Sequence, residues 1–231
     1  LRVLVKRSSA FQEFEVPRHP SQTVLDVVTY IQRKLDPTLA YRYACRVGMC
    51  GSCAMTVNGV PRWTCRTHVD KVVRNEGLEI APLKNLPVIR DLVTDMREFF
   101  DKWARAQGRF QGGRTKHEDF EKVIPESPDR KAADAGIECI GCAVCYSACN
   151  VVAANPEYLG PAALNRVWTL VKDARSVDAI EKLRAVAGDA GCHACHNHMD
   201  CTERCPKHIS PTAAIAGLKR ATAKAVLKGA L

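Results

Sequence analysis

No stretch of this 231-residue chain approaches the roughly 20 consecutive apolar residues that a membrane-spanning helix needs. The chain is therefore expected to be soluble by itself, with any membrane contact made from its surface. Like charges form no long run either. Thirty-four Lys and Arg against 25 Asp and Glu give a net charge of +9, scattered along the sequence and densest at Lys207, Lys219, Arg220, Lys224 and Lys228. That distribution suits an acidic partner or an anionic membrane face, and no nucleic acid is expected as a partner. The start, Leu1–Arg7, alternates like a strand and lacks the continuous apolar core of a signal peptide. The His, Asp and Glu residues form no acid–base pair, activated nucleophile or phosphate loop, so no catalytic residue is assigned.

What the chain has in excess is cysteine, with 12 residues. They fall into tight groups separated by the cysteine-free stretches 66–138 and 150–191. Thiols two residues apart rarely suit a mutual disulfide but do suit a shared metal or cluster. The pattern reads as ligands kept reduced, facing a reducing compartment.

Periodicity places these groups on two modules. Leu1–Lys6 and Phe11–Val16 read as strands turning at Ser8-Ser9, and Thr23–Leu35 as a helix capped by Ser21 or Thr23 and closed by Pro37. Ala54–Val57 and Pro61–Cys65 read as a hairpin around Asn58-Gly59. This is a compact α+β ferredoxin-like module ending near Pro82. Helical spacing is read over Val88–Ala106, and a loop or linker over 107–136, rich in Gly, Pro and charge. From 137 onward strand patterns disappear, and Ala162–Val171, Val177–Val186 and the stretch after Pro211, capped by Ser210, read as helices. The expected division is an N-terminal domain at 1–106, a linker at 107–136 and a mainly helical domain at 137–231.

Cys45-x4-Cys50-x2-Cys53, with Cys65 further on, is the plant-type spacing for a [2Fe–2S] cluster. Two irons need four thiolates, three of them from one loop, and Gly48 and Gly51 let that loop turn sharply. Structural zinc would usually show two paired C-x2-C knuckles, whereas Cys65 stands alone.

Cys139-x2-Cys142-x2-Cys145-x3-Cys149 is the bacterial ferredoxin run, in which the fourth cysteine serves the other cluster of a two-cluster protein. Its partner group is Cys192, Cys195, Cys201 and Cys205-Pro206. Crossing the two assigns Cys139, Cys142, Cys145 and Cys205 to a [4Fe–4S] cluster, and Cys149, Cys195 and Cys201 to another. Three thiolates favour a [3Fe–4S] cluster. His198 occupies the place of a central cysteine, so His198 or Cys192 stands as an alternative fourth ligand, with Cys192 read first as structural. Cys192-His193-Ala194-Cys195-His196 also spells the covalent haem pattern, but haem would take Cys195 from the third cluster, and coincidence is the better reading.

Taken together, Cys45-Arg46-Val47-Gly48-Met49-Cys50-Gly51-Ser52-Cys53, Leu86-Pro87-Val88-Ile89-Arg90-Asp91-Leu92, Asn155-Pro156, Gly160-Pro161-Ala162-Ala163 and Cys205-Pro206-Lys207 resemble the iron–sulfur subunits of succinate dehydrogenase and fumarate reductase over essentially the whole chain. The resemblance implies an N-terminal β-grasp plant-type ferredoxin domain followed by an all-α two-cluster domain. It implies a partner flavoprotein with FAD, where succinate and fumarate interconvert, and a membrane anchor that binds quinone. Electrons would run between flavin and quinone through the [2Fe–2S], [4Fe–4S] and [3Fe–4S] clusters. The complex would lie on the cytoplasmic face of the bacterial inner membrane or the matrix side of the mitochondrial one. His196 and Lys219 match positions near the quinone or third cluster. Where many succinate dehydrogenases carry aromatic residues before the Asn-Pro and Pro after the matching cysteine, this chain has Ala153, Ala154 and Asn150. That departure leaves room for a flavoprotein oxidoreductase with a non-quinone acceptor. Trp63 and Trp168 read as core residues rather than electron relays.

Overall fold

The computed structural model describes residues 1–75 and 77–231. They form two compact units, Leu1–Arg97 with Ile140–Ala148, and Glu98–Cys139 with Cys149–Leu231.

The first unit is built on a five-stranded sheet. Its strands are β1 (Arg2–Lys6), β2 (Phe11–Glu15), β3 (Ala54–Val57), β4 (Val60–Trp63) and β5 (Gly77–Ala81), in the order β2-β1-β5-β3-β4. Strands β1 and β5 run parallel, and the other pairings are antiparallel. Alternation puts Val3, Val5, Met55, Val57, Leu78 and Ile80 on one face, against Val24, Val27 and Val28 of helix α1 (Val24–Tyr30) and Ile31 just after it. This sheet grasping a helix is the expected β domain. Thr23 caps α1: its hydroxyl accepts from the Asp26 N–H, and the Asp26 carboxylate accepts from the Thr23 N–H at 2.9 Å. A π-helical turn over Ile31–Leu35 ends it before Pro37. Asn58 and Gly59 both take positive φ, the geometry that a two-residue turn between β3 and β4 demands.

One expected element is different. Val88–Ala106 is not a continuous helix: Val88–Arg90 (β6) and Val93–Thr94 (β7) pair antiparallel, and helix α2 covers only Arg97–Arg105. The reason is Asp91, buried with φ of 48° between the two strands. Its carboxylate accepts from the Ser8 and Ala40 backbone N–H groups and from Arg7 Nε. These long-range bonds outweigh the local helical periodicity.

The second unit is helical. Its elements are the remainder of α2, α3 (Pro128–Ile137), α5 (Asn150–Ala154), α6 (Pro161–Val171), α7 (Ala179–Val186), α8 (Asp200–Glu203) and α9 (Pro211–Leu227), while α4 (Val144–Ser147) belongs to the first unit. Helix α3 lies where composition predicted a loop. Ser127 caps it and Pro128 opens it, local signals that the charged composition of 107–136 obscures. Gly136 lets α3 approach α6, because an added Cβ would fall 2.6 Å from the Thr169 hydroxyl. Gly217 does the same for α9, where a Cβ would meet the Trp168 ring at 2.5 Å. Helix α6 is thus the central packing element. Among the described residues no helix is long and apolar enough to cross a membrane.

Candidate functional site

The four thiols of the first group are brought together in the first unit. Between β3 and the preceding chain, Arg46, Gly48 and Gly51 all take positive φ, so the loop 45–53 winds back on itself. The N–H groups of Met49 and Cys50 both donate to Cys45 Sγ, at 3.2 and 3.3 Å. The Cys45 N–H donates to Cys50 Sγ at 3.5 Å. Cys53 and Cys65 are buried together beside Leu25, Tyr41 and Trp63. Gly48 is required twice over: its φ is 75°, and a Cβ would meet the Trp63 ring at 2.9 Å.

The electrostatics differ across this nest. Hydrogen bonds from the Ser52 side chain first, and then from the Cys45 and Ser52 amides, hold the Cys50 thiol down to about 6 against its burial. Burial, followed by the adjoining Cys53, pushes Cys65 up to about 11. A cationic iron would supply the compensating charge that the buried pair lacks. Four converging sulfurs, spread rather than closed on one point and met by backbone donors, fit a [2Fe–2S] cluster. Among the described residues no three His, Cys, Asp or Glu side chains close on a single metal ion.

Of the second group, Cys142 and Cys145 lie in the first unit, and Cys139 and Cys205 in the second. Segment 140–148 is fixed to the first unit by the Lys84 N–H, which donates to Ser147 Oγ at 2.8 Å, and by Asn85 Nδ2, which donates to the Tyr146 carbonyl at 3.1 Å. In the second unit Lys207 pairs with Glu138 at 3.1 Å, tying the chain after Cys205 to the residue before Cys139.

The third group converges within the second unit. Cys149, Cys195 and Cys201 line one pocket, together with His198, Tyr158 and Thr212. Burial pushes the Cys149 and Cys201 thiols up, opposed at Cys149 by the Val152 and Val151 amides and at Cys201 by the Thr212 and Thr202 hydroxyls. Thr212 Oγ1 is 3.4 Å from Cys201 Sγ, and the Asn197 N–H donates to Cys195 Sγ at 3.5 Å. Three sulfurs with these donors fit a cluster that has three protein thiolates.

His196 lines the same pocket, its ring 6.2 Å from that of His198, and both are exposed. Lys219 is half-buried, and its Nζ donates to the Cys195 carbonyl at 2.7 Å. Cys192 is not among the pocket residues: it is fully buried, 3.9 Å from the Thr222 hydroxyl. A thiol so enclosed is also badly placed for covalent haem. Tyr158, Thr212 and the Asn197 amide were missed in the sequence, because nothing in local spacing marks a residue that reaches a site through the fold.

Two family models match. One, described as a 2Fe-2S iron-sulfur cluster binding domain, covers residues 3–101, and the other, a 4Fe-4S dicluster domain, covers 136–209. The fumarate reductase iron-sulfur subunit of Mycobacterium tuberculosis is 34% identical over 227 residues, 97% of this chain and 90% of that protein. The chain belongs to the iron–sulfur subunits of succinate dehydrogenase and fumarate reductase. The Escherichia coli fumarate reductase subunit is 35% identical over 208 residues, covering 90% of this chain and 83% of its own length. The Paracoccus denitrificans succinate dehydrogenase subunit is 36% identical over 198 residues, covering 85% and 74%. In the solved structure titled "Mycobacterium smegmatis Sdh1 complex in the apo form", one chain superposes with a TM-score of 0.84 at 28% identity, over 96% of this chain and 95% of that one. As an iron–sulfur subunit of this family the chain carries electrons within an oxidoreductase of several subunits, using 2Fe–2S and 4Fe–4S domains.

Proposed function

We propose that this chain relays electrons between the FAD of a partner flavoprotein and a membrane quinone held by anchor subunits, through [2Fe–2S], [4Fe–4S] and [3Fe–4S] clusters. When bound, the clusters supply one-electron acceptors, and the protein supplies their spacing and potentials. Cys45, Cys50, Cys53 and Cys65 would hold the first. Cys139, Cys142, Cys145 and Cys205 would hold the second, and Cys149, Cys195 and Cys201 the third. The observation that carries the reading is the convergence of those last three thiols on one pocket, separate from Cys192.

The chain's own residues would do three things. Backbone amides of the 45–53 loop donate to sulfur and favour a more negative charge there. Lys219 holds the Cys195 backbone in place, and its cation lies beside the third group. His196 and Lys219 would approach the quinone head. The basic face of α9 suits an anionic membrane surface or an anchor subunit, on the cytoplasmic side of a bacterial inner membrane or the matrix side of a mitochondrial one.

The test is anaerobic isolation of the native complex. Expected are about nine irons per chain, three paramagnetic resonance signals, a hydrophobic anchor among the co-purifying chains, and turnover of succinate with quinone analogues. A soluble heterodimer active without quinone would sink the quinone linkage and leave the family membership intact.

A further inference from the structure

One hydroxyl at the third cysteine group is singled out neither by cysteine spacing nor by the stretches that carry the family resemblance. Tyr158 is 1% exposed. Its N–H donates to the Asn155 carbonyl at 3.1 Å, and the next residue, Leu159, donates to Ala190 at 2.8 Å, so the backbone is pinned where it enters α6. Its side chain lines the pocket of Cys149, Cys195 and Cys201. We propose that Tyr158 tunes the third cluster, its O–H donating to the Cys195 sulfur and raising the cluster's reduction potential. This inference rests on the reading of these three cysteines as cluster ligands.

The physical argument is about charge. Reduction places one more electron on the cluster and its sulfurs, and a hydrogen bond to a more negative acceptor is stronger. A donor held there in advance stabilises the reduced state more than the oxidised one. The donor also has to keep its proton. A phenol, with an ordinary value of about 10, keeps its proton at neutral pH. The Asn197 N–H and the Thr212 hydroxyl are further donors to the same group. Tyr158 therefore sets part of the potential, and its burial makes such a bond count for more than it would in water.

The experiment is Tyr158→Phe in the complete complex, with redox titration of the three resonance signals. The expected result is an equilibrium for one-electron reduction of the third cluster about tenfold less favourable, a fall of about 59 mV. The first cluster's potential and the line shape of the third should stay unchanged. In D2O, an exchangeable-proton coupling at the third cluster should be seen in the unaltered protein and be weakened in the variant. An unchanged potential with an unchanged coupling would overturn the proposal. Loss of the third cluster in the variant would also overturn it, by showing that the hydroxyl is structural. If the unaltered complex lacks a third signal, the ligand assignment itself fails, and that is seen before any substitution is made.

Discussion

A side-chain carbon on Gly51 would lie 2.4 Å from the Cβ of Cys142 and 2.9 Å from its Cα. The loop of the first cysteine group therefore rests on the backbone of the second, with no side chain between them at that point. For a protein that moves electrons between two such groups, a residue without a Cβ is the thinnest spacer the chain can provide.

Gly51→Ala is expected to destabilise the first unit and lower the yield of the [2Fe–2S] signal. Two costs combine. A residue other than glycine at a φ of 71° costs about 1–2 kcal/mol, and overpacking against backbone adds about 1–3 kcal/mol. Gly59→Ala is the control, since its φ is 80° but nothing lies within 4 Å. Anaerobic denaturation of both variants separates the clash from the dihedral, and equal losses would refute the clash.

Cys149→Ser should abolish the third signal and leave the first two in place. Cys192→Ser should leave all three, and the iron content with them, because Cys192 faces Thr222. Iron and sulfide determination with resonance spectra checks both. Loss of the [4Fe–4S] signal in the Cys149 variant would show that the crossed assignment is wrong.

Lys219→Leu removes the bond from Nζ to the Cys195 carbonyl. The third cluster should then be lost faster on mild oxidation, by several-fold in half-life, with the first cluster unaffected. A time course of the signals in air measures it. An unchanged half-life would mean the lysine is an ordinary surface charge.

Asp91→Asn should cost roughly 2–3 kcal/mol, the scale for hydrogen bonds to a buried charged group. Asp91 resists the upward push of burial through the Ala40 amide and Arg7, and Asp36 is held down to about 2 by the Thr38 hydroxyl and then by Arg7. Both folded values lie below the unfolded one of about 3.9. Their contribution is therefore complete above that value and is lost only as pH falls through the folded values. The penalty should stay constant from pH 8 to pH 5, measured by anaerobic denaturation. A penalty that grew or shrank within that window would contradict these shifts.

The thiol groups were legible because cluster chemistry is written in short spacings: Cys45 to Cys53 and Cys139 to Cys149 each lie within one short stretch of chain, whose length limits what they can reach. Signals of the same local kind, the cap at Ser21 or Thr23, the Asn58-Gly59 turn and the Ser210 cap, marked their elements, with Thr23 making the first cap. The misread hairpin has a long-range cause. Val88–Ala106 has helical spacing, but Asp91 is claimed by Arg7, Ser8 and Ala40, residues more than fifty positions away.

Sequence alone thus determined the 2Fe–2S and 4Fe–4S character of the chain and its two-module plan, since both follow from residue types at fixed short distances along the chain. Only tertiary structure decided that Cys192 turns into the core, that Lys219 grips the Cys195 backbone and that Tyr158 lies buried in the lining of the third group's pocket. Those contacts depend on how helices pack around α6, and packing joins residues that the order of the chain leaves far apart.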